Sequence, residues 1–536
     1  MNKLVALGGT EKNGLVFASV TLACLLLCAL VYWTIVSHNK LFLVLFGLVC
    51  LICTLLAGFC LFRCHNEKCS RFLHDYSERY HFVALVLFGI LFVFAFPPGS
   101  VPDEPHHFWS SYTLADVMTG HEVDYDKAEI EMRAIDAEVN FNALKDINKQ
   151  SFRMIVDEFE PFNSSSEWKM LPVPREAMNF GSNPVYIKLP SALSIVIGIV
   201  LDLGFYPMFY LGRLLNYVIF IVCIVVSVRI TPIAKNGFRA ISLLPITLHL
   251  CASYSYDVGI ICLSFLLTAC LFRLLLDEEI TSRSFGRYAA LSSVLAVLLA
   301  PCKVIYLAIF LLIFLVPNHK FPSTRNAYIV KFGVVIVSLL FILTMRGASI
   351  SSLAAASDGA NGLDHRGVET GVFYSLSDII RDPFGTLILF ARTMDQLGDY
   401  YLQTLVGGSL GWLQENIRLP MHYVFAYLII LYLSFMKSRG DEKDVGYVIR
   451  LSALVIAIAI WIGAMVSMYL GWTFNTEQLI LGVQGRYLLP ALPLLFIGLR
   501  SNRIIRQGDT FNLMLVGMCS LNSLSLMRTF AMALAA

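Results

Sequence analysis

The sequence predicts an all-α integral membrane protein, a polytopic bundle of about thirteen transmembrane helices, within a range of eleven to fourteen. Of its 536 residues, 57% are hydrophobic and only 15% are charged, and the mean hydropathy is +0.70. An average soluble protein carries about 25% charged residues, so this composition excludes a water-soluble core. The net charge of +2 gives no reason to expect a nucleic-acid partner.

Apolar runs of roughly 17–25 residues are long enough to cross a bilayer as helices, and a few shorter runs qualify as halves of hairpins. The thirteen predicted spans are 15–37, 41–62, 81–97, 209–230, 239–255, 257–274, 288–302, 303–317, 328–346, 420–436, 447–471, 486–500 and 509–530.

Lysine and arginine residues orient this bundle, because cytoplasmic loops of membrane proteins are enriched in both. With the N-terminus in the cytoplasm, every strongly basic loop faces inward, for example the loop with Arg273, Arg283 and Arg287. Residues 185–204 are apolar enough to span, but a span there would turn all later basic loops outward. We therefore predict that they form an interfacial or re-entrant helix on the outer face.

Two large extracytoplasmic loops follow from this topology, and both are expected to carry interfacial helices. The predicted organisation is an accessory helix pair and cytoplasmic loop over 1–80, a core module over 81–346 that includes the first outer loop 98–208, a second outer loop over 347–419, and C-terminal helices over 420–536.

The stretch "FAFPPGSVPDEPHHFWSSY", residues 94–112, leaves an apolar run and reaches two carboxylates and two histidines within a few residues. Its prolines stiffen the backbone before the next helix starts. A carboxylate held at the membrane surface suits a general base. Asp103 with His107 also suits a divalent cation, and the pattern leaves the dependence on a metal open. The plainer interpretation is an acidic cap at a helix N-terminus.

Five other polar residues lie at the same predicted face: Arg213, Asn216, Asp257, Lys303 and Arg486. One such residue alone is explained by snorkelling to the lipid headgroups. Several together favour a shared polar cavity, because ionisable groups at membrane depth usually face a partner or a cavity. Cations beside an acidic turn indicate an anionic lipid head, most simply a phosphate.

Six motifs occur in an order that resembles the bacterial membrane proteins called domain of unknown function 2142: "PDEPHHFW", "NPVYIKLPSAL", "YLGRLLN", "LLPITLHLCASYSYD", "CKVIYL" and "VQGRYLLPALP". The likeness covers roughly residues 81–500. That family in turn resembles the GT-C superfamily of integral-membrane glycosyltransferases. The resemblance implies a GT-C-like fold in the bacterial cytoplasmic membrane, an extracytoplasmic active site, and a donor sugar on a polyprenyl phosphate or diphosphate.

By this resemblance Asp103 is the acidic catalytic residue, with Glu104 beside it. His106 stands where the related motif "DEPAHF" has alanine, which makes a metal more plausible without establishing one. The residues expected to bind substrate are His106, His107, Arg213, Asn216, Asp257, Lys303, Arg486 and Tyr487. The assignment of the donor phosphate to Lys303 and Arg486 comes from their charge and placement.

The expected function is therefore transfer of a sugar from a polyprenyl-phosphate donor to a cell-envelope glycan, a lipid-linked acceptor or a wall polymer. A flippase or transporter of polyprenyl-linked glycans would also need cations at headgroup level. Transporters, however, usually show internal repeats and broken helices near the midplane, and this sequence shows no repeat. A non-catalytic protein of envelope assembly is the third interpretation, and it explains neither the prolyl-acidic turn nor the cations.

Overall fold

A computed structural model describes residues 77–165, 167–180, 184–356, 362–363, 370–415, 417–438, 443–506 and 511–535. The predicted spans 15–37 and 41–62 lie outside these residues. The described chain is mostly helical. Its helices are α1 Ser77–Ala95, α2 Glu104–Thr119, α3 Ala134–Ala137, α4 Phe141–Leu144, α5 Lys149–Asp157, α6 Arg175–Met178, α7 Val185–Val200, α8 Phe205–Ile230, α9 Lys235–Ser242, α10 Pro245–Cys251, α11 Asp257–Leu276, α12 Ser282–Leu299, α13 Thr324–Tyr328, α14 Val334–Ala356, α15 Leu376–Arg381, α16 Pro383–Val406, α17 Met421–Phe435, α18 Tyr447–Gly471, α19 Leu492–Leu499 and α20 Phe511–Ala535.

Two apolar segments form 3₁₀ helices, Val304–Leu315 and Gly485–Ala491, and a π-helical turn, Ile329–Gly333, joins α13 to α14. The strands are short: β1 Val123–Asp124, β2 Glu129–Arg133, β3 Trp168–Pro172, β4 Gly362–Leu363, β5 Thr370–Gly371, β6 Lys437–Ser438 and β7 Ile505–Arg506. The prediction of an all-α protein therefore holds for the bundle but misses a small amount of sheet.

Five helices of the described chain are long and apolar enough to cross a membrane: Phe205–Ile230, Asp257–Leu276, Thr324–Gly347, Tyr447–Gly471 and Leu513–Ala533. Five shorter apolar helices accompany them. The predicted count of thirteen spans is not confirmed. Prolines explain part of the difference, because the residue before a proline disfavours helix. Leu244 is extended before Pro245, so the predicted span 239–255 is divided between α9 and α10.

The first large loop is a folded unit and not an irregular connection. β2 is the central strand of an antiparallel sheet ordered β1-β2-β3, with Ile130 opposite Leu171. The buried Arg133 guanidinium binds Asp136 at 2.7 Å and donates to the carbonyls of Gly198 and Leu203. These bonds fasten the sheet to the end of α7, so the loop has a defined position over the bundle.

α7 covers most of the segment predicted to be interfacial, and its exposed side is apolar. Val185, Leu189 and Leu193 are each about two-fifths exposed, at four-residue spacing along one stripe. The opposite side buries Lys188 and Ser191 against α2. An outward apolar face with inward polar groups is what a lipid environment favours. The location of α7 as an interfacial or re-entrant helix stays a prediction.

The second large loop contributes α15 and α16, and α16 is the longer of the two. α16 packs along α18, with the Tyr401 ring 5.1 Å from Trp461. Just before α15, the Tyr374 ring stacks on that of Tyr469 in α18 at 4.4 Å. α16 also packs against the 3₁₀ segment that carries Arg486. This contact brings the second loop to the candidate site.

Candidate functional site

The turn between α1 and α2 presents Asp103 at one end of the bundle. The Ser100 and Glu104 amides donate to the carbonyls of Pro97 and Val101, which tightens the turn. Asp103 has φ 64° and ψ 6°, the left-handed conformation that only a few non-glycine residues adopt. Its side chain is 56% exposed. The first carboxylate of the motif is thus accessible on a constrained backbone.

Glu104 has the opposite environment, because it is fully buried and paired with Arg213. The Arg213 guanidinium approaches the two carboxylate oxygens at 2.6 and 2.8 Å, and both side chains are 0% exposed. The same guanidinium donates to the carbonyls of Val93, Phe96 and Pro97. Glu104 also accepts from the Gly99 and Tyr254 amides.

The Glu104–Arg213 pair therefore ties the end of α1 and the start of α2 to α8 and to the turn before α11. With both oxygens and the guanidinium engaged, neither side chain is presented to a substrate in this conformation. The geometry assigns Glu104 and Arg213 to positioning of Asp103. Asn216 also has a structural contact. Its side-chain amide donates to the Ser253 carbonyl at 2.7 Å and so holds the turn before α11.

Arg486 approaches Asp103 from a distant part of the chain, but it holds the carboxylate loosely. Its Nη2 lies 3.5 Å from Asp103 Oδ2, and its Nη1 lies 3.9 Å from Asp257 Oδ2. Both distances exceed those of strong charge-assisted hydrogen bonds, which are about 2.7–2.9 Å. Arg486 is 8% exposed. A nearly buried guanidinium between two weakly held carboxylates is able to take an anionic ligand.

Lys303 brings a second cation to this place. Its Nζ lies 4.1 Å from the centre of the Tyr487 ring and 5.8 Å from that of Tyr256. The structure shows no salt bridge to Lys303 from any residue it describes. The turn before it is fixed by Arg346, which donates to the carbonyls of Pro301 and Cys302. Lys303 therefore rests on aromatic faces in a fixed position, with its charge not neutralised by a carboxylate.

The two histidines lie on the other side of Asp103, on the first turns of α2. The His107 ring is buried edge-on against Tyr256 at 4.7 Å, and His106 packs against it at 5.6 Å. Burial holds the pKa of His107 well below its usual range. The charged forms of His106, Lys188, Arg486 and Lys303 lower it further. Burial also lowers the pKa of His106, so the basic groups beside neutral His107 are lysine and arginine side chains.

A metal is less well supported by this geometry than an anion. Among the described residues, no group of three or more His, Cys, Asp or Glu side chains is arranged to hold a metal ion. The interpretation of a divalent cation rests on Asp103 and His107 alone, and it stays a prediction.

The structure brings Asp103, Asp257, Lys303, Arg486 and Tyr487 close together, and their roles in catalysis and substrate binding stay predictions. It adds residues that the sequence reasoning did not select: Lys188, His249, Gln484 and Arg346. Lys188 and His249 lie in apolar runs, so the rule for ionisable groups at membrane depth was a sufficient signal for both. Arg346 ends the predicted span 328–346 and carried the same signal, whereas Gln484 carried none.

One buried carboxylate of the first loop predicts a pH dependence. Asp116 lies near the end of α2, and neither carboxylate oxygen has a hydrogen-bond partner among the described residues. Burial, then Glu131 and Asp136, raise the pKa of Asp116 to about 9. An unfolded aspartate titrates near pH ~3.9. The folded state thus keeps a proton that the unfolded state releases, and stability falls as the pH rises from about 4 towards 9.

We therefore expect Asp116→Asn to be more stable than the wild type at pH 8, by at least about 1 kcal/mol, and equal to it at pH 4. Thermal unfolding midpoints of the purified protein across this pH range measure the difference. A difference of the same size at both pH values would contradict the prediction. Asp126→Asn, at an exposed position of the same loop, is the control and is expected to change neither midpoint.

Comparison with known proteins identifies the family of this chain. No curated protein and no solved structure matches it. Residues 85–495 match the family model described as "Predicted membrane protein", domain of unknown function 2142. This range contains the turn with Asp103 and the segments with Lys303 and Arg486. The chain therefore belongs to the membrane-protein family called domain of unknown function 2142.

Proposed function

We propose that this protein is a GT-C-type glycosyltransferase of the bacterial cytoplasmic membrane. It transfers a sugar from a polyprenyl-phosphate donor to a cell-envelope glycan or lipid-linked acceptor on the extracytoplasmic face. The observation that carries the proposal is the arrangement of an exposed carboxylate, Asp103, against two cations, Arg486 and Lys303. All three stand at one end of an apolar bundle.

The arrangement suits substitution at the anomeric carbon of a lipid-linked sugar. The acceptor oxygen forms a bond to that carbon, and the bond from the carbon to the phosphate oxygen breaks. Asp103 takes the proton of the acceptor hydroxyl. Arg486 and Lys303 stabilise the charge that remains on the polyprenyl phosphate.

The loose contact between Asp103 and Arg486 gives a reason for the order of these events. At 3.5 Å the pair is easily separated. A donor phosphate binds a guanidinium in a bidentate manner at shorter distance, so it replaces the carboxylate as the partner of Arg486. Donor binding then frees Asp103 for the acceptor. Glu104 and Arg213 keep the turn in place during this exchange.

Substitution of the two cations tests the donor site. We expect Lys303→Ala and Arg486→Ala each to weaken the binding of a short-chain polyprenyl phosphate by roughly 10–100-fold, because each removes a charge that contacts the phosphate. The measurement is a titration of the lipid phosphate against purified protein in nanodiscs. Lys169→Ala removes an exposed lysine of the first loop and serves as the matched control.

Unchanged affinity in both variants would place the phosphate elsewhere. Transfer itself is measured with proteoliposomes, labelled polyprenyl-phosphate sugars and cell-envelope acceptors. Movement of the labelled lipid between leaflets without formation of a glycosidic product would favour the flippase over the transferase.

A further inference from the structure

A small cavity with both apolar and polar residues in its wall lies beside the turn that carries Asp103. Its volume is about 10 Å³, which is at the lower limit for holding one water molecule. Pro102 forms one wall, and the others come from α10, from the end of α16 with the residues after it, and from the segment that holds Arg486. Three remote parts of the chain thus meet at the back of the candidate site.

Four of the residues that line this cavity carry unpartnered polar atoms. These atoms are His249 Nδ1 and Nε2, Ser409 Oγ, Gln484 Oε1 and Arg486 Nε, and none has a hydrogen-bond partner among the described residues. His249 is 2% exposed, Ser409 is 0% exposed and Arg486 is 8% exposed. Buried polar groups without partners are rare in folded proteins, so their convergence on one cavity indicates a ligand.

The other polar residue of the wall does not share this property. Thr404 Oγ1 accepts from the Gly485 amide at 2.7 Å and donates to the Tyr400 carbonyl at 2.8 Å. Its bonds hold α16 against the Arg486 segment. The unpartnered atoms therefore do not reflect a poorly packed wall, because the hydroxyl next to them is satisfied.

Donor and acceptor chemistry selects the ligand. Arg486 Nε is a donor only, Gln484 Oε1 is an acceptor only, and neutral His249 and Ser409 each offer both functions. A water molecule also offers two donors and two acceptors, and a cavity of this volume is just large enough to hold one. A metal would be repelled by Arg486, and a larger anion exceeds the volume.

We propose that one buried water bridges Arg486 to His249, Gln484 and Ser409, and that His249 is a positioning residue for Arg486. Among the carboxylates that the structure describes, Asp103 and Asp257 approach the terminal nitrogens of Arg486, and both contacts are long, at 3.5 and 3.9 Å. A water bond to Nε then adds a short contact that orients the guanidinium plane. The effect on donor binding rests on the proposed function, whereas the water site does not.

The chain offers a matched control for His249. His81 is also a fully packed histidine, 3% exposed, but its Nε2 has a partner in Ser242 Oγ at 2.9 Å. His81→Phe and His249→Phe make the same chemical change in the same bundle. Only the second removes a polar group from the cavity.

The first measurement is a cryo-EM map of the full-length protein in nanodiscs, at a resolution that shows ordered water. We expect a density peak within hydrogen-bond distance of Arg486 Nε and Gln484 Oε1 in the wild type and in His81→Phe. In His249→Phe the peak is lost and the guanidinium moves. Ser409→Ala, which removes one hydroxyl, is the alternative if His249→Phe does not fold.

The second measurement is the affinity for a short-chain polyprenyl phosphate. His249→Phe is expected to lower it about tenfold, His249→Gln to recover most of the loss, and His81→Phe to leave it unchanged. No peak in the wild type overturns the water site, and an unmoved Arg486 or unchanged affinity in His249→Phe overturns the positioning role. If the wild type binds no polyprenyl phosphate, the proposed function fails while the map still decides the water site.

Discussion

Asp103→Asn is expected to lower the rate of sugar transfer by at least about 10²-fold, with the affinity for the donor phosphate unchanged within a few-fold. The amide has the size and shape of the carboxylate but does not take a proton from the acceptor hydroxyl, and general-base catalysis is typically worth 10²–10⁴-fold. Asparagine also tolerates the left-handed backbone at this position. The rate constant and the donor dissociation constant must be measured on the same preparation.

Two further variants make the Asp103 experiment decisive. Asp103→Glu keeps a carboxylate but displaces it by a methylene, so it should retain part of the activity. Asp126→Asn makes the matched change at an exposed position of the first loop and should retain all of it. If Asp103→Asn transfers sugar at the wild-type rate, Asp103 has no part in proton transfer and the proposed mechanism is wrong.

Arg213→Ala is expected to destabilise the protein by about 3–5 kcal/mol, the usual cost of removing one partner of a buried ion pair. The variant leaves Glu104 charged and fully buried, and it also strips three carbonyls at the end of α1 of their donor. Thermal unfolding in detergent, followed by a probe of the bundle, measures the loss.

A double variant distinguishes the contribution of the ion pair to stability from that of the packing around it. Glu104→Gln with Arg213→Met removes both charges at similar volume, and it should recover part of the stability because no unpaired charge remains. It should still impair transfer, since the turn with Asp103 loses its anchor. Glu138→Gln, in the exposed pair with Lys169, should not change the unfolding midpoint. An Arg213→Ala protein as stable as the wild type would refute the anchoring role of the pair.

Membrane-spanning segments were the part of the fold most open to prediction. The run 447–471 coincides with α18, because an uninterrupted apolar run of that length has one stable conformation in a bilayer. Interrupted runs were predicted less well. The span 486–500 starts as a 3₁₀ turn with Pro490 inside it, and only α19 continues as a regular helix. The three-stranded sheet of the first loop was missed, since its strands are two and five residues long.

The candidate site was predicted as a set of residues but not as a set of contacts. Polar residues in apolar surroundings stand out along a chain, which is why Asp103, Asp257, Lys303 and Arg486 were selected. Their proximity to each other carries no such local signal. Glu104 and Arg213 are 109 positions apart, and Asp103 and Arg486 are 383 apart.

The sequence by itself determined that this chain is a polytopic membrane protein with an acidic, proline-rich turn at the end of an apolar helix. Those properties depend on composition and local order, which the chain carries without folding. Only the tertiary structure decided which carboxylate is accessible. Asp103 and Glu104 are neighbours of equal charge, and they differ because Arg213 meets one of them in the bundle while the other faces outward beside Arg486. Burial and pairing depend on partners remote in the chain, so the two roles separate only when the helices pack.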